Sequence, residues 1–120
     1  MLVAFGYMNT VAKEVRDRLK KDGYFVTFIN LRFASPIDFD TIESLVSKHR
    51  IIVTMEDNVY AGGIGQAIAA ELKLRNSNIN NICISLPDKF IEHGKREFLL
   101  KKYGLDVDGV YEKIINVMNK

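Results

Sequence analysis

Four short apolar runs, Leu2 to Phe5, Phe25 to Ile29, Ile51 to Met55 and Ile82 to Ser85, alternate with amphipathic segments, and that alternation leaves the chain few folds to choose from. Each run is β-branched or aromatic and bounded by turn residues, the pattern of a strand buried on both faces of a parallel sheet. After the first run, Val11, Val15 and Leu19 recur at helical spacing, and Gly23 stands where a left-handed C-cap ends a helix. After the second, Pro36 and an N-cap at Asp38 lead into a stripe of Ile42, Leu45 and Val46, with Lys48, His49 and Arg50 suiting the helix C-terminus. After the third, Ile64, Ala67, Ile68 and Leu72 form another stripe, and the polar run Asn76 to Asn81 connects to the last strand.

Two helices then close the chain without an intervening strand. One runs from Lys95 to Tyr103 and stops at Gly104; the other is capped by Asp106 and turns Val107, Val110, Ile114, Val117 and Met118 inward. With 120 residues, 48% of them hydrophobic, residues 1–120 make a single domain with one core. Right-handed crossovers and two covered faces predict an α/β fold, a three-layer α/β/α sandwich on about four parallel strands in the order 2-1-3-4.

The charges exclude several functions. Seventeen basic and fifteen acidic residues are interspersed, giving a net charge of +2 and no footprint for nucleic acid. The tyrosines and phenylalanines are not interleaved with basic residues as a single-strand stacking platform requires. No apolar run approaches the ~18 residues of a membrane span, and Leu2 to Phe5 is too short for a signal sequence, so a soluble cytoplasmic protein is expected. Cys83, the single cysteine, rules out an internal disulfide framework and reads as a buried core thiol.

In such a sheet the crevice opens at the carboxyl ends of strands 1 and 3, here Gly6 to Asn9 and Glu56 to Asn58. The first turn, GYMNT, has one glycine where a dinucleotide site needs GxGxxG, and lacks the acidic pair of a phosphoacceptor domain. Gly62, Gly63 and Gly65 open the third helix, whose free N–H groups suit an anion; Glu56 and Asp57 beside them compete for those donors and repel phosphate. Close loop and helix packing is the expected role of the glycines, and the acids are expected to bond backbone or a neighbouring domain. Arg32 and Asp38 are expected to pair across the Pro-containing turn. His93 begins a helix and His49 ends one; two isolated histidines make no metal site.

Three segments in order carry a resemblance: LRFASPID at Leu31 to Asp38, EDNVYAGGIG at Glu56 to Gly65, and LPDKFIEHG at Leu86 to Gly94, followed by YGLDVDGV from Tyr103. Together with LVAFG at the start they cover essentially the whole chain, which resembles the C-terminal domain of 1-deoxy-D-xylulose-5-phosphate synthases in the transketolase superfamily. Pyruvate dehydrogenase β-subunits and transketolases share the fold and the acid-then-glycine turn, whereas LPDKFIEHG and YGLDVDGV point to the synthase. The resemblance implies a transferase that joins pyruvate to glyceraldehyde 3-phosphate with loss of carbon dioxide, using thiamine diphosphate and Mg²⁺, in isoprenoid and thiamine biosynthesis. Those groups bind in other domains through a GDG motif and a glutamate, so neither catalytic, cofactor-binding nor metal residues are expected in this chain. It implies instead a noncatalytic fragment that supports a homodimer and the other domains of the same enzyme, with Glu56, Asp57, Asn58, Asp88 and His93 facing those domains or fixing the loops that do. The family's antiparallel edge strand, which precedes the strand at Leu2, is expected to be missing, leaving an edge open to pairing. Two rival readings are a stand-alone module binding an anion or metabolite at the crevice, and one half of a split transketolase-type enzyme.

Overall fold

A computed structural model of the chain describes residues 1–33 and 35–120; Ala34, inside the LRFASPID segment, lies outside the described residues. The elements follow the expected alternation: β1 (Leu2–Phe5), α1 (Met8–Lys21), β2 (Phe28–Leu31), α2 (Phe39–Val46), β3 (Ile51–Val59), α3 (Ile64–Leu74), β4 (Asn80–Leu86), α4 (Arg96–Lys102) and α5 (Val107–Met118). All pairings are parallel and the four strands stand in the order β2-β1-β3-β4, the order read from the sequence.

Strand alternation divides the core in two. Leu2, Ala4, Val53, Met55 and Ile84 point to the face covered by α1, α4 and α5, where they meet Val11, Val15, Leu19, Val110 and Ile114. Val3, Leu31 and Ile52 point to the other face and pack on Ile42, Val46, Ile64, Ile68 and Leu72 of α2 and α3. These two clusters make the α/β/α sandwich. Ala67, expected in the buried stripe of α3, is exposed beside a crevice.

Local signals set most boundaries. Gly23, at φ +93°, closes α1: its N–H bonds Lys20 O at 3.0 Å while Tyr24 N–H bonds Leu19 O at 3.0 Å, the paired bonds of a Schellman end. Asp38 caps α2 by accepting from Thr41 N–H at 3.1 Å, and Asp106 caps α5 by accepting from Gly109 N–H at 3.2 Å.

Several expectations shift. β2 starts at Phe28 rather than Phe25, because Leu2 pairs with Phe28 and that register carries the strand on to Leu31. Phe25 is left 72% exposed and stacks on His49, with ring centroids 5.2 Å apart. His49 lies beyond the end of α2 rather than in its last turn; a ring nitrogen stands 2.8 Å from Thr27 Oγ1, and burial lowers its pKa. Cys83 is half-buried rather than buried. No helix among the described residues is long and apolar enough to cross a membrane.

Candidate functional site

The nine-residue β3 outruns its apolar stretch, and its last residues form the crevice. Ile52, Thr54 and Glu56 alternate onto the α3 side of the sheet, so the strand delivers a carboxylate beneath the start of that helix. Pairing with β4 runs to Met55 opposite Ile84 and resumes at Val59 opposite Leu86, so Glu56, Asp57 and Asn58 face Ser85 alone. This bulge bends the strand end and sends the chain into the glycine turn.

Glu56 is 3% exposed. One carboxylate oxygen accepts from Ile64 N–H at 3.1 Å and the other from Gly65 N–H at 2.7 Å, which stabilises the buried carboxylate and satisfies two of the orphan donors of the helix start. The glycines permit that approach. A Cβ on Gly63 would stand 2.4 Å from Glu56 Oε1 and 2.6 Å from Val59 O, and one on Gly65 would stand 2.7 Å from Thr54 Oγ1. Gly62 turns with φ +75° and donates its N–H to Gln66 Oε1 at 2.7 Å. Thr54 is buried beside Gly65, and its hydroxyl has no partner among the described residues.

The crevice above has a volume of about 400 Å³ and is lined by Phe5, Ile37, Asp57, Asn58, Gly63 and Ala67 among others. Asp57 and Asn58 are exposed at its mouth; Asn58 Oδ1 accepts from Val59 N–H at 2.9 Å. A diphosphate group does not fit these residues, since the N–H groups that would hold it are filled by Glu56 and a second carboxylate lies at the rim. Among the described residues no three His, Cys, Asp or Glu come together as a cluster.

The remaining candidates lie apart. Arg32 and Asp38 line one depression beyond β2 but form no ion pair among the described residues; Asp38 bonds Thr41 instead, whose N–H binds one oxygen and whose hydroxyl binds the other, at 2.6 Å. That hydroxyl bond holds the Asp38 carboxyl below the usual carboxylate range. Asp88 and His93 are both exposed, and His93 lies three residues before the start of α4 rather than within it.

What organises their loop is Glu92, which sequence reasoning left out. Its carboxylate takes hydrogen bonds from Lys102 Nζ and from Tyr103 OH, the latter at 2.8 Å, and Lys102 above all lowers its pKa to about 2. Lys89 lies over the Tyr103 ring, 5.3 Å from the centroid. The tie spans ten residues between loop and helix, with no local pattern to reveal it. Phe90, set with Ile91 among the charges of DKFIEH, is 86% exposed.

A doubly wound parallel sheet with helices on both faces, its crevice partly filled by Glu56, places this chain among three-layer α/β/α domains. Sequence comparison gives the particular family. Residues 1–110 match the transketolase C-terminal domain, and the chain belongs to that family. The 1-deoxy-D-xylulose-5-phosphate synthase of Dictyoglomus thermophilum is 41% identical over 118 residues, covering 98% of this chain and 19% of the relative. That of Lachnoclostridium phytofermentans is 40% identical over 114 residues, covering 94% and 18%. Among solved structures, a split-gene transketolase described as an inactive β4 tetramer superposes with a TM-score of 0.84 at 27% identity, covering 96% of this chain and 36% of that one. The chain thus spans about a fifth of the length of these curated relatives.

Proposed function

We propose that this chain is the C-terminal module of a cytoplasmic, thiamine-diphosphate-dependent 1-deoxy-D-xylulose-5-phosphate synthase, and that it contributes no catalytic group. The complete enzyme condenses pyruvate with D-glyceraldehyde 3-phosphate, releasing carbon dioxide, and the module's work is to hold the cofactor-bearing domains and the homodimer together. The observation that supports the noncatalytic role is the Glu56 carboxylate on the Ile64 and Gly65 N–H groups, which takes up donors that a phosphate at the start of α3 would need. The same observation weighs against a metabolite-binding module.

The test is product formation from pyruvate and glyceraldehyde 3-phosphate. The chain alone is expected to give none, and turnover to appear when the polypeptide bearing the GDG motif and the activating glutamate is joined to it. Turnover by the chain alone overturns the proposal. Saturable thermal stabilisation by a phosphorylated metabolite would favour the metabolite module instead, since a ligand that binds only the native state stabilises it. A second reading, a separately encoded half of a two-polypeptide enzyme, draws on the split-gene neighbour; a neighbouring gene for the cofactor-bearing half would establish it.

A further inference from the structure

Because every strand pairing is parallel, the loops leaving the carboxyl ends of the strands gather at one end of the sheet. Three of them hold an aromatic ring out to solvent: Phe33 after β2 at 68% exposure, Tyr60 after β3 at 42% and Phe90 after β4 at 86%. A single exposed ring is ordinary, but rings from separate loops at one end are the raw material of an interface core, where aromatic anchors carry most of the energy.

The Phe90 loop is also held in place. Glu92 is tied to Lys102 and Tyr103, and Lys89 sits over the Tyr103 ring, so the chain is anchored to α4 on both sides of a ring its own fold does not bury. A loop ordered before it meets a partner loses less entropy on binding. Phe25, at the opposite end of the sheet, differs: it is exposed, but it is stacked on His49.

We propose that the carboxyl end of the sheet docks the cofactor-bearing domains of the same enzyme, with Phe90 seated in an apolar pocket on them and Asp57, Asp88 and His93 at the polar rim. This rests on the reading of the chain as one module of a longer synthase. The occupant follows from length. The chain covers 19% of its synthase relatives, so most of each relative is polypeptide tethered to the matching module, at an effective concentration that favours even a modest interface. Phe90 is bracketed by Lys89, Lys95 and Arg96, none ion-paired among the described residues, with Asp88 and Glu97 offsetting part of the charge. With Asp57 also at this end, the rim is of mixed sign and suits a partner surface of mixed charge.

The experiment places a photoreactive benzoylphenylalanine at position 90, or at position 25 as the control, in the protein as its cells make it, and maps the crosslinks by mass spectrometry. Crosslinks from position 90 into synthase polypeptide outside residues 1–120, with none from position 25, are expected. In the same protein Phe90→Ala should speed proteolytic separation of the module about thirtyfold, the change that losing an anchor of about 2 kcal/mol produces. Crosslinks from position 90 only into a second copy of residues 1–120, crosslinks from position 25 alone, or none from either would each overturn the docking surface while leaving the proposed function standing. Absence of any attached or associated thiamine-diphosphate-binding polypeptide would instead defeat the proposed function.

Discussion

The turn after β3 and the loop after β4 leave the same end of the same sheet and carry the two most distinctive motifs in the chain, yet they spend their polar groups in opposite ways. EDNVYAGGIG folds back on itself: Glu56 is buried, both its oxygens are bonded to α3, Gly63 leaves room for its carboxylate and Gly65 for the Thr54 hydroxyl. LPDKFIEHG uses only Glu92 and Lys89 internally and leaves Asp88, Phe90 and His93 in solvent. Motif density alone therefore does not mark a ligand site. The first motif is the internal wiring of a helix start; the second is an ordered loop with Asp88, Phe90 and His93 exposed.

The sharpest way to break this contrast is Gly63→Ala. The added methyl would meet a carboxylate oxygen and a backbone carbonyl, and we expect a loss of about 3 kcal/mol, the upper range for overpacking, read as a lower midpoint in denaturant titration. Unchanged stability would show that the turn is looser than described. Glu56→Gln keeps the shape but turns an NH₂ group toward a backbone donor, and should lose about 2 kcal/mol by the same measurement.

Acid should act on the other loop. The folded pKa of Glu92, about 2, lies below its ordinary 4.5, so the anchoring it provides is fully present above pH 4.5 and is lost as pH falls toward 2. Amide exchange in the loop should accelerate across that window, and Glu92→Gln should show the acid behaviour already at neutral pH. Thr54→Val removes a buried hydroxyl without a partner and should be neutral or stabilising by up to about 1 kcal/mol. Smallest of all, Phe90→Ala in this chain should move its stability by no more than about 0.5 kcal/mol, because the ring packs on nothing of its own. A larger change would mean that the loop belongs to the core.

Strand order, helix count and the three caps at Gly23, Asp38 and Asp106 were legible because each rests on a local signal or on a rule of chain crossing. The start of β2 was not. FVTFI alternates well from Phe25, and only the pairing of Leu2 with Phe28 decides where the strand begins. The acids and glycines after β3 were visible as competitors for one set of donors, whereas the bulge that aims Glu56 depends on how β4 pairs, which no single segment encodes. The Arg32 and Asp38 pair is absent among the described residues, where Asp38 serves as the cap of α2 and bonds Thr41, three residues on. Glu92 escaped notice since its partners are on the next helix.

The carboxylate under α3 also bears on life in a cell crowded with sugar phosphates and nucleotides. A domain of this shape with a vacant helix start would be a standing trap for them, its occupancy drifting with metabolism. By keeping its own carboxylate on the Ile64 and Gly65 N–H groups, the chain leaves passing anions nothing to hold at this helix start.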